Sequence, residues 1–596
     1  MTGWLRLQLR RFLTKPEWML SLLLTGVLGI LVVTPLAELI RETVTVQAYD
    51  AAFLPDAERG SFTLFHYGRV FASELSWAVF YKPFMHSLII AFAVTGFGVF
   101  FGAALAWLIV RTDVPGRGAL NTLVVIPYMM PSWVLALAWL TFFKNDRVAG
   151  TEGLMSFAFG VAPPDWLSYG MVPIIICLAL HYYVYAYLMI SGALASVDTQ
   201  LEEAGAISGL SRLRQFFLIT APLLLPAIGS AVVMTFIRVV GSFGAPAVLG
   251  LPVRFYTLPT QIYAALSSRN AGDGYLLALV MVVLAVSFIF VNSRMIGVRK
   301  SFVTMSGKGF RRRDLTLGVW RWPALFVVGI FLSITIIAPV GLLALDSLML
   351  EPGVYTLENF TLHYWIGDNS EEYVSQEPGI LRSPQIGEAI WNSLRLAFSA
   401  ALFTGFMGLL IGYAVVRTRG SMVSKALENI AFTPYIFPAV ALGAIYLGVF
   451  SRPIGPVPAL YGTFTLLVII CAIKNLPFTS RTGIAALLQI DRSLEETARV
   501  QGIGWFKRMA KIIVPVASSG LISGMLLSFI TVMRELSLII LLITPSTNVL
   551  TTLVFEYQLQ DLSQHVGAAT VTLMFIIIGV NVAVRLVSKK SQITSI

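Results

Sequence analysis

Twelve long apolar runs, almost empty of Asp, Glu, Lys and Arg, dominate the chain. Each is long enough to cross a hydrocarbon core of about 30 Å, which takes roughly 20 helical residues. In the first half they centre on 18–37, 84–110, 120–143, 172–194, 223–240 and 275–293, and in the second on 322–345, 396–416, 429–450, 463–480, 512–533 and 566–584. Charged residues make up 12% of the 596, half of the roughly 25% usual in a soluble domain, and the mean hydropathy is +0.80. These values exclude a water-soluble multidomain enzyme and predict an all-α integral membrane protein of about 12 transmembrane helices. Proline and glycine inside the runs are compatible with this, because packed neighbours satisfy the freed backbone groups.

The distribution of charge sets the predicted topology. Arg6, Arg10, Arg11 and Lys15 precede the first run with no acid before Glu17, which places the amino terminus in the cytoplasm. The connection between the halves carries Arg294, Arg299, Lys300, Lys308, Arg311, Arg312, Arg313 and Arg321 against Asp314, so it too is cytoplasmic, as is the carboxyl end with Arg585, Lys589 and Lys590. The loop after the seventh run holds Glu351, Glu358, Asp368, Glu371, Glu372 and Glu377 against Arg382 and is read as external. The net charge of +11 is therefore topological and does not indicate nucleic acid. The first run lacks a small-residue cleavage site near Thr34–Glu38 and is read as an anchor, not as a signal peptide.

The chain repeats itself. The segment from His86, HSLIIAFAVTGFGVFFGAALAWLIVRT, matches NSLRLAFSAALFTGFMGLLIGYAVVRT from Asn392, and both end in an Arg-Thr pair, Arg111-Thr112 and Arg417-Thr418. Pro127, Tyr128 and Pro131 then match Pro434, Tyr435 and Pro438. Self-similarity of this length marks a structural repeat. An even number of crossings separates equivalent points, so the halves are parallel repeats about an axis along the membrane normal, with a pathway between them. The predicted units are 1–300, with its core at about 80–295, and 301–596, with its core at about 387–588.

Between the fourth and fifth runs of each half, on the predicted inner side, stand LEEAGAISGLSRLRQFFLITAPLLLPAI from Leu201 and LEETARVQGIGWFKRMAKIIVPVASSG from Leu494. Glu203, Gly209, Ile219 and Pro222 correspond to Glu496, Gly502, Ile512 and Pro515. Gly209 and Gly502 permit the positive φ of a sharp turn between two short helices. Pro222 and Pro515 fall where the next membrane helix is expected to start, a position at which the missing donor costs nothing. The product is a rigid knob outside the bilayer, at about 201–222 and 494–515.

This pattern of Glu-Ala-Ala, a Gly six residues after the Glu, and Ile and Pro further on resembles the cytoplasmic loop of binding-protein-dependent ABC importer permeases, and the two-half arrangement resembles their type I fold. The resemblance covers nearly the whole chain, with departures at Gly205, Ala221, Thr497 and Arg499. It implies two copies of a cytoplasmic ABC ATPase, a periplasmic substrate-binding protein, and residence in the bacterial inner membrane with both termini cytoplasmic. It also implies that Glu202, Glu203, Ala204, Gly209 and Pro222, with Glu495, Glu496, Gly502 and Pro515, couple the permease to the ATPase. As a fused permease with the segment Arg534-Glu535-Leu536-Ser537, the chain looks like iron(III) transport permeases; relatives for thiamine, polyamines, sulfate or phosphonates share the loops and leave the cargo open. No cofactor is expected on this chain. Gly307-Lys308 is followed by Gly309, with Phe302 where a phosphate-cradling loop needs its first Gly, so ATP is expected to be hydrolysed by a partner subunit.

Ionisable groups inside membrane runs are costly and normally face a cavity or a partner. His181 and Lys474 occupy equivalent places in the fourth runs, while Arg238, in FIRVVGSFGAPAVL with Ser242, and Arg534 with Glu535, in FITVMRELSLIILL, are read as lying within the fifth span of each half. These six are the candidate translocation pathway. The competing structural reading pairs Arg534 or Glu535 with nearby carbonyls and lets Lys474 snorkel to an interface. Cys177 and Cys471 sit in apolar runs and read as buried hydrophobes. No metal-ligand spacing connects His66, His86, His181, His363 and His565. An ion-coupled secondary transporter is the alternative class, but it calls for intramembrane acids as relays, and Glu535 is the one candidate.

Overall fold

The computed structural model describes residues 15–197, 199–268, 270–297, 315–368, 377–453 and 458–593. Arg6, Arg10, Arg11, the basic run at 299–313, and Glu371 and Glu372 lie outside the described residues, so the charge-based orientation there is a sequence expectation alone. Within them the fold is helical, with three isolated bridges and no strand. Among the described residues, nine helices are long and apolar enough to cross a membrane, or up to twelve crossings when each of three bent pairs is taken as one span.

The third span of each half departs from a straight crossing. Arg117–Tyr128 and Ser132–Phe143 meet at 88°, and Met422–Ile436 and Ala439–Phe450 meet at 108°. Pro131 and Pro438 stand at these corners, each with an extended ψ near 140°. Proline lacks the donor that would continue the ladder and pushes the residue before it out of the helical region. A second departure concerns Pro222 and Pro515. Helix begins ten residues earlier, at Arg212 and Trp505, and reaches each proline through one π-turn, Phe216–Thr220 and Met509–Ile513. The widened turn absorbs the carbonyl that the proline ring would otherwise strike.

The first span of each half packs on the other half. Leu24 and Leu28 of Pro16–Thr43 lie against Ile411, Ala414, Leu427 and Leu476. The Tyr446 hydroxyl donates to the Leu31 carbonyl at 2.6 Å. Conversely, Val328 and Leu332 of Gly318–Asp346 enter the cluster of Leu105, Tyr183 and Tyr187, and the Phe331 ring meets those of Phe101 at 5.4 Å and Tyr183 at 4.9 Å. Lipid tails are as apolar as leucine, so close packing and interhelical hydrogen bonds hold such contacts together, not expulsion of water.

Both repeats close the region after the fifth span in the same way. Ser87 and Ser393, from the matched His-Ser and Asn-Ser pairs, accept from the backbone N–H of Leu258 at 2.7 Å and of Leu550 at 2.8 Å. These donors open the helices Leu258–Ser267 and Leu550–Leu559, where they lack intrahelical partners.

The loop after the first span carries the short helix Phe65–Phe71, which docks on the sixth span by a buried ionic clamp. His66 lies 3.1 Å from Asp50 and 3.4 Å from Asp273, and Arg69 lies 3.2 Å from Asp273. Burial pulls the His66 pKa down, but the hydrogen bond that its ring donates to Asp273 and the charges of Asp50 and Asp273 outweigh it, so the pKa is raised from 6.5. A raised native pKa gives stability that is full below the unfolded value and is lost as pH rises through the native value. Thermal melting of the solubilised chain is therefore expected to fall as pH increases above about 6.5, and His66→Gln is expected to flatten that slope. An unchanged slope in the variant would refute the clamp as its source.

Candidate functional site

Two places gather the residues singled out by sequence. The first is the pair of elbows. Gly209 has φ +81° and Gly502 φ +74°, a left-handed turn that strains any residue with a Cβ. Each turn joins a nine-residue helix, Thr199–Ile207 or Arg492–Val500, to the helix that continues into the fifth span. Glu203, Ala204 and Gly209 are exposed, as are Glu496, Gly502 and Pro515, while Pro222 is half-buried.

Glu202 and Glu495 point the other way. Glu202 pairs with Arg111 and accepts from the Thr220 hydroxyl at 2.7 Å. Glu495 pairs with Arg417 at 2.7 Å and accepts from the Tyr413 hydroxyl at 2.6 Å, with Arg508 4.0 Å away. Arg111 and Arg417 are the arginines of the matched Arg-Thr pairs that end the second spans. Each elbow is thus bolted to the end of the second span by a carboxylate–guanidinium pair, a charge-assisted contact stronger than a neutral one. The motif treats its adjacent acids alike, yet packing turns one inward as an anchor and leaves the other outward. Ile207 and Val500, at equivalent positions, are each 88% exposed at the tips. They were not singled out from sequence, and an aliphatic residue at matching places in a polar loop was the available signal.

The second place is central. His181, Arg238 and Lys474, from three helices, and Ser242, Arg534 and Glu535, from the segments after the fifth spans, line one cavity of about 90 Å³ between both halves. Its other walls include Trp133, Tyr182, Tyr185 and Tyr435 and the corners at Pro131 and Pro438. At 1.5 Å per residue the cavity lies about 20 Å along the fourth spans from the ends that lead to the elbows. Arg238 sits in the last turn of Ala221–Val240, whereas Ser242, Arg534 and Glu535 lie just beyond the helix ends Val240 and Met533, not within the fifth spans. Gly241 cannot carry a side chain there without crowding, since a Cβ would stand 3.1 Å from Pro438.

The halves exchange cations across this cavity. The Arg238 guanidinium lies 4.6 Å from the centre of the Tyr435 ring, and Arg534 lies 4.2 Å from that of Tyr128. Tyr128 and Tyr435 are the matched tyrosines beside the corner prolines, so each half supplies a ring to the other's arginine, a contact worth about 0.5–2 kcal/mol. Lys474 does not snorkel. It is buried and donates to the carbonyls of Pro434, at 3.1 Å, and Phe437, which the bent third span leaves without helical partners. Glu535 accepts from the Leu538 N–H at 3.0 Å. Among the described residues, no group of three or more His, Cys, Asp or Glu is placed to hold a metal ion.

Comparison with known proteins agrees with the two-fold build. The family profile described as "Binding-protein-dependent transport system inner membrane component" matches twice, over residues 98–297 and 405–592. The chain is similar to the ferric transport system permease protein FbpB of Actinobacillus pleuropneumoniae, with 27% identity over 503 residues, covering 82% of this chain and 69% of that one. It is also similar to the Fe(3+)-transport system permease protein FbpB 2 of Haemophilus influenzae, 24% identical over 83% of this chain and 87% of that one. The molybdenum transport system permease protein ModB of Escherichia coli is 31% identical over 195 residues, 32% of this chain and 78% of its own. With both of its halves matched, this multi-pass chain belongs to the inner-membrane permease components of binding-protein-dependent ABC transport systems.

Proposed function

We propose that this permease imports iron(III) delivered by a periplasmic binding protein, driven by two copies of a separate cytoplasmic ATPase that dock on the elbows. The cargo rests on the two ferric relatives, whose matches cover more than four-fifths of this chain, against about one-third for the molybdenum permease. The observation that carries the mechanism is the pair of equivalent protrusions, each with an exposed aliphatic tip and an outward acid and each anchored through Glu202 or Glu495 to a membrane helix. An exposed apolar tip rimmed by charge suits a protein contact, and the anchor lets movement of the tip reach the second span. Because the first span of each half packs on its neighbour, the cores rock as interlocked bodies about the central cavity. Both termini are cytoplasmic in this reading, as the elbows are.

Transport of iron(III) into vesicles containing the permease, its ATPase and its binding protein tests the function, with thiamine, a polyamine and a phosphonate as competing cargoes. Glu203→Lys with Glu496→Lys is expected to reduce binding-protein-stimulated ATP hydrolysis several-fold while melting stays unchanged, since exposed charges contribute about 0–1 kcal/mol to stability. Unaltered stimulation in the double variant would remove these acids from the contact.

A further inference from the structure

The central cavity has a charge that the proposed cargo does not explain. Among the described residues its walls carry Arg238, Lys474 and Arg534 against one carboxylate, Glu535, and one oxygen of that carboxylate is already occupied by the Leu538 N–H. A bare trivalent cation entering here meets net positive charge. Rings of Arg and Lys are instead the lining of anion and phosphate pores.

Hydrogen bonding gives an independent sign. Three buried nitrogens on the wall, Arg534 Nη1, Trp133 Nε1 and His181 Nδ1, have no hydrogen-bond partner. Two of them are obligate donors, and the third is a donor in one tautomer. Native structures rarely leave such groups unpaired. Stacking on Tyr128 and Tyr435 holds the two guanidinium groups in place, but Arg534 Nη1 still lacks an acceptor. The cavity's 90 Å³ is several times the roughly 10–15 Å³ that one water requires.

The geometry points to an oxyanion-binding site formed between the halves by Arg238, Arg534, Trp133 and His181, with Lys474 beside them. Guanidinium and N–H groups recognise phosphate-like and carboxylate oxygens. A hard trivalent ion also prefers oxygen ligands. On the reading that cargo crosses at this cavity, iron(III) passes as a complex whose oxyanion ligands face the arginines. The same chemistry is offered by a free oxyanion.

Equilibrium binding to the full chain in lipid nanodiscs tests this, using radiolabelled orthophosphate, ferric citrate, and hexaamminecobalt(III) as a trivalent cation that carries no anionic ligand. Saturable binding of orthophosphate or ferric citrate is expected, with none of hexaamminecobalt(III). Orthophosphate alone would identify a free oxyanion as the ligand, and ferric citrate alone would identify a coordinated one. Arg534→Gln and Arg238→Gln are each expected to weaken binding about tenfold or more, and Arg534→Lys to retain most of it. Saturable uptake of the cobalt cation with neither anion bound would overturn the site without recourse to any variant, as would equal anion binding by both Gln variants. The assay needs neither ATPase nor binding protein. Anion binding in a chain that fails to drive iron(III) uptake would overturn the transport proposal alone, and iron(III) uptake by a chain that binds no anion would overturn this one alone.

Discussion

Glu495→Gln is expected to uncouple the second elbow, with binding-protein-stimulated ATP hydrolysis falling about tenfold or more. Glu495 is buried between Arg417 and the Tyr413 hydroxyl, with Arg508 also near. Removing one partner of a buried pair costs about 3–5 kcal/mol because the other charge is left uncompensated. The elbow should therefore detach while the membrane core stays folded. Hydrogen exchange over 492–508 would report the detachment, and the same measurement on Glu496→Gln should show no change, since that side chain faces solvent. Glu202→Gln should act in the same direction but more weakly: the side chain of Glu202 is 18% exposed against 9% for Glu495, and water compensates part of the loss. Equal protection of 492–508 in the Glu495 and Glu496 variants would refute the anchor.

Gly408→Val and Gly102→Val are expected to abolish the folded core of their respective halves. These equivalent glycines lie where the second span crosses the fourth. A Cβ at Gly408 would stand 2.5 Å from the Thr479 backbone carbon, and one at Gly102 would stand 2.6 Å from the Tyr183 carbonyl oxygen. Because backbone cannot swing aside as a side chain can, the helices must separate, and the loss exceeds the about 1–3 kcal/mol typical of overpacking. Gly96→Val is the control, since its Cβ meets nothing within 4 Å on the same helix. The monodisperse fraction on gel filtration and the melting temperature should collapse for the first two variants and hold for the third. Tolerance of valine at Gly408 would show that this crossing is looser than drawn.

Much of the architecture could be read from local pattern. Apolar length marks a membrane helix because an unpaired backbone group in lipid is costly wherever it occurs, and the elbow turn is visible because positive φ selects glycine at Gly209 and Gly502. Five of the six pathway candidates, all but Ser242, could be chosen for the same kind of reason, since an ionisable group in an apolar run needs a cavity or a partner. The corners were harder to see. Hydropathy adds up apolarity over a window and is blind to direction, so a run broken at Pro131 or Pro438 counts the same as a straight one.

Pairing across distance belonged to the tertiary structure alone. Nothing in the neighbourhood of Glu202 distinguishes it from Glu203; the distinction comes from Arg111, which packing brings from 91 residues away. Arg238 and Tyr435 belong to different halves, and neither sequence context names the other. The same holds for the first spans, whose apolar surfaces fit any apolar neighbour until helix crossings select the opposite half. Periodicity and turn chemistry are properties of adjacent residues and were legible in the chain itself. The inward anchors form only when distant helices of one half pack together, and the charge of the central cavity is a sum over residues that meet only when the two repeats close on each other.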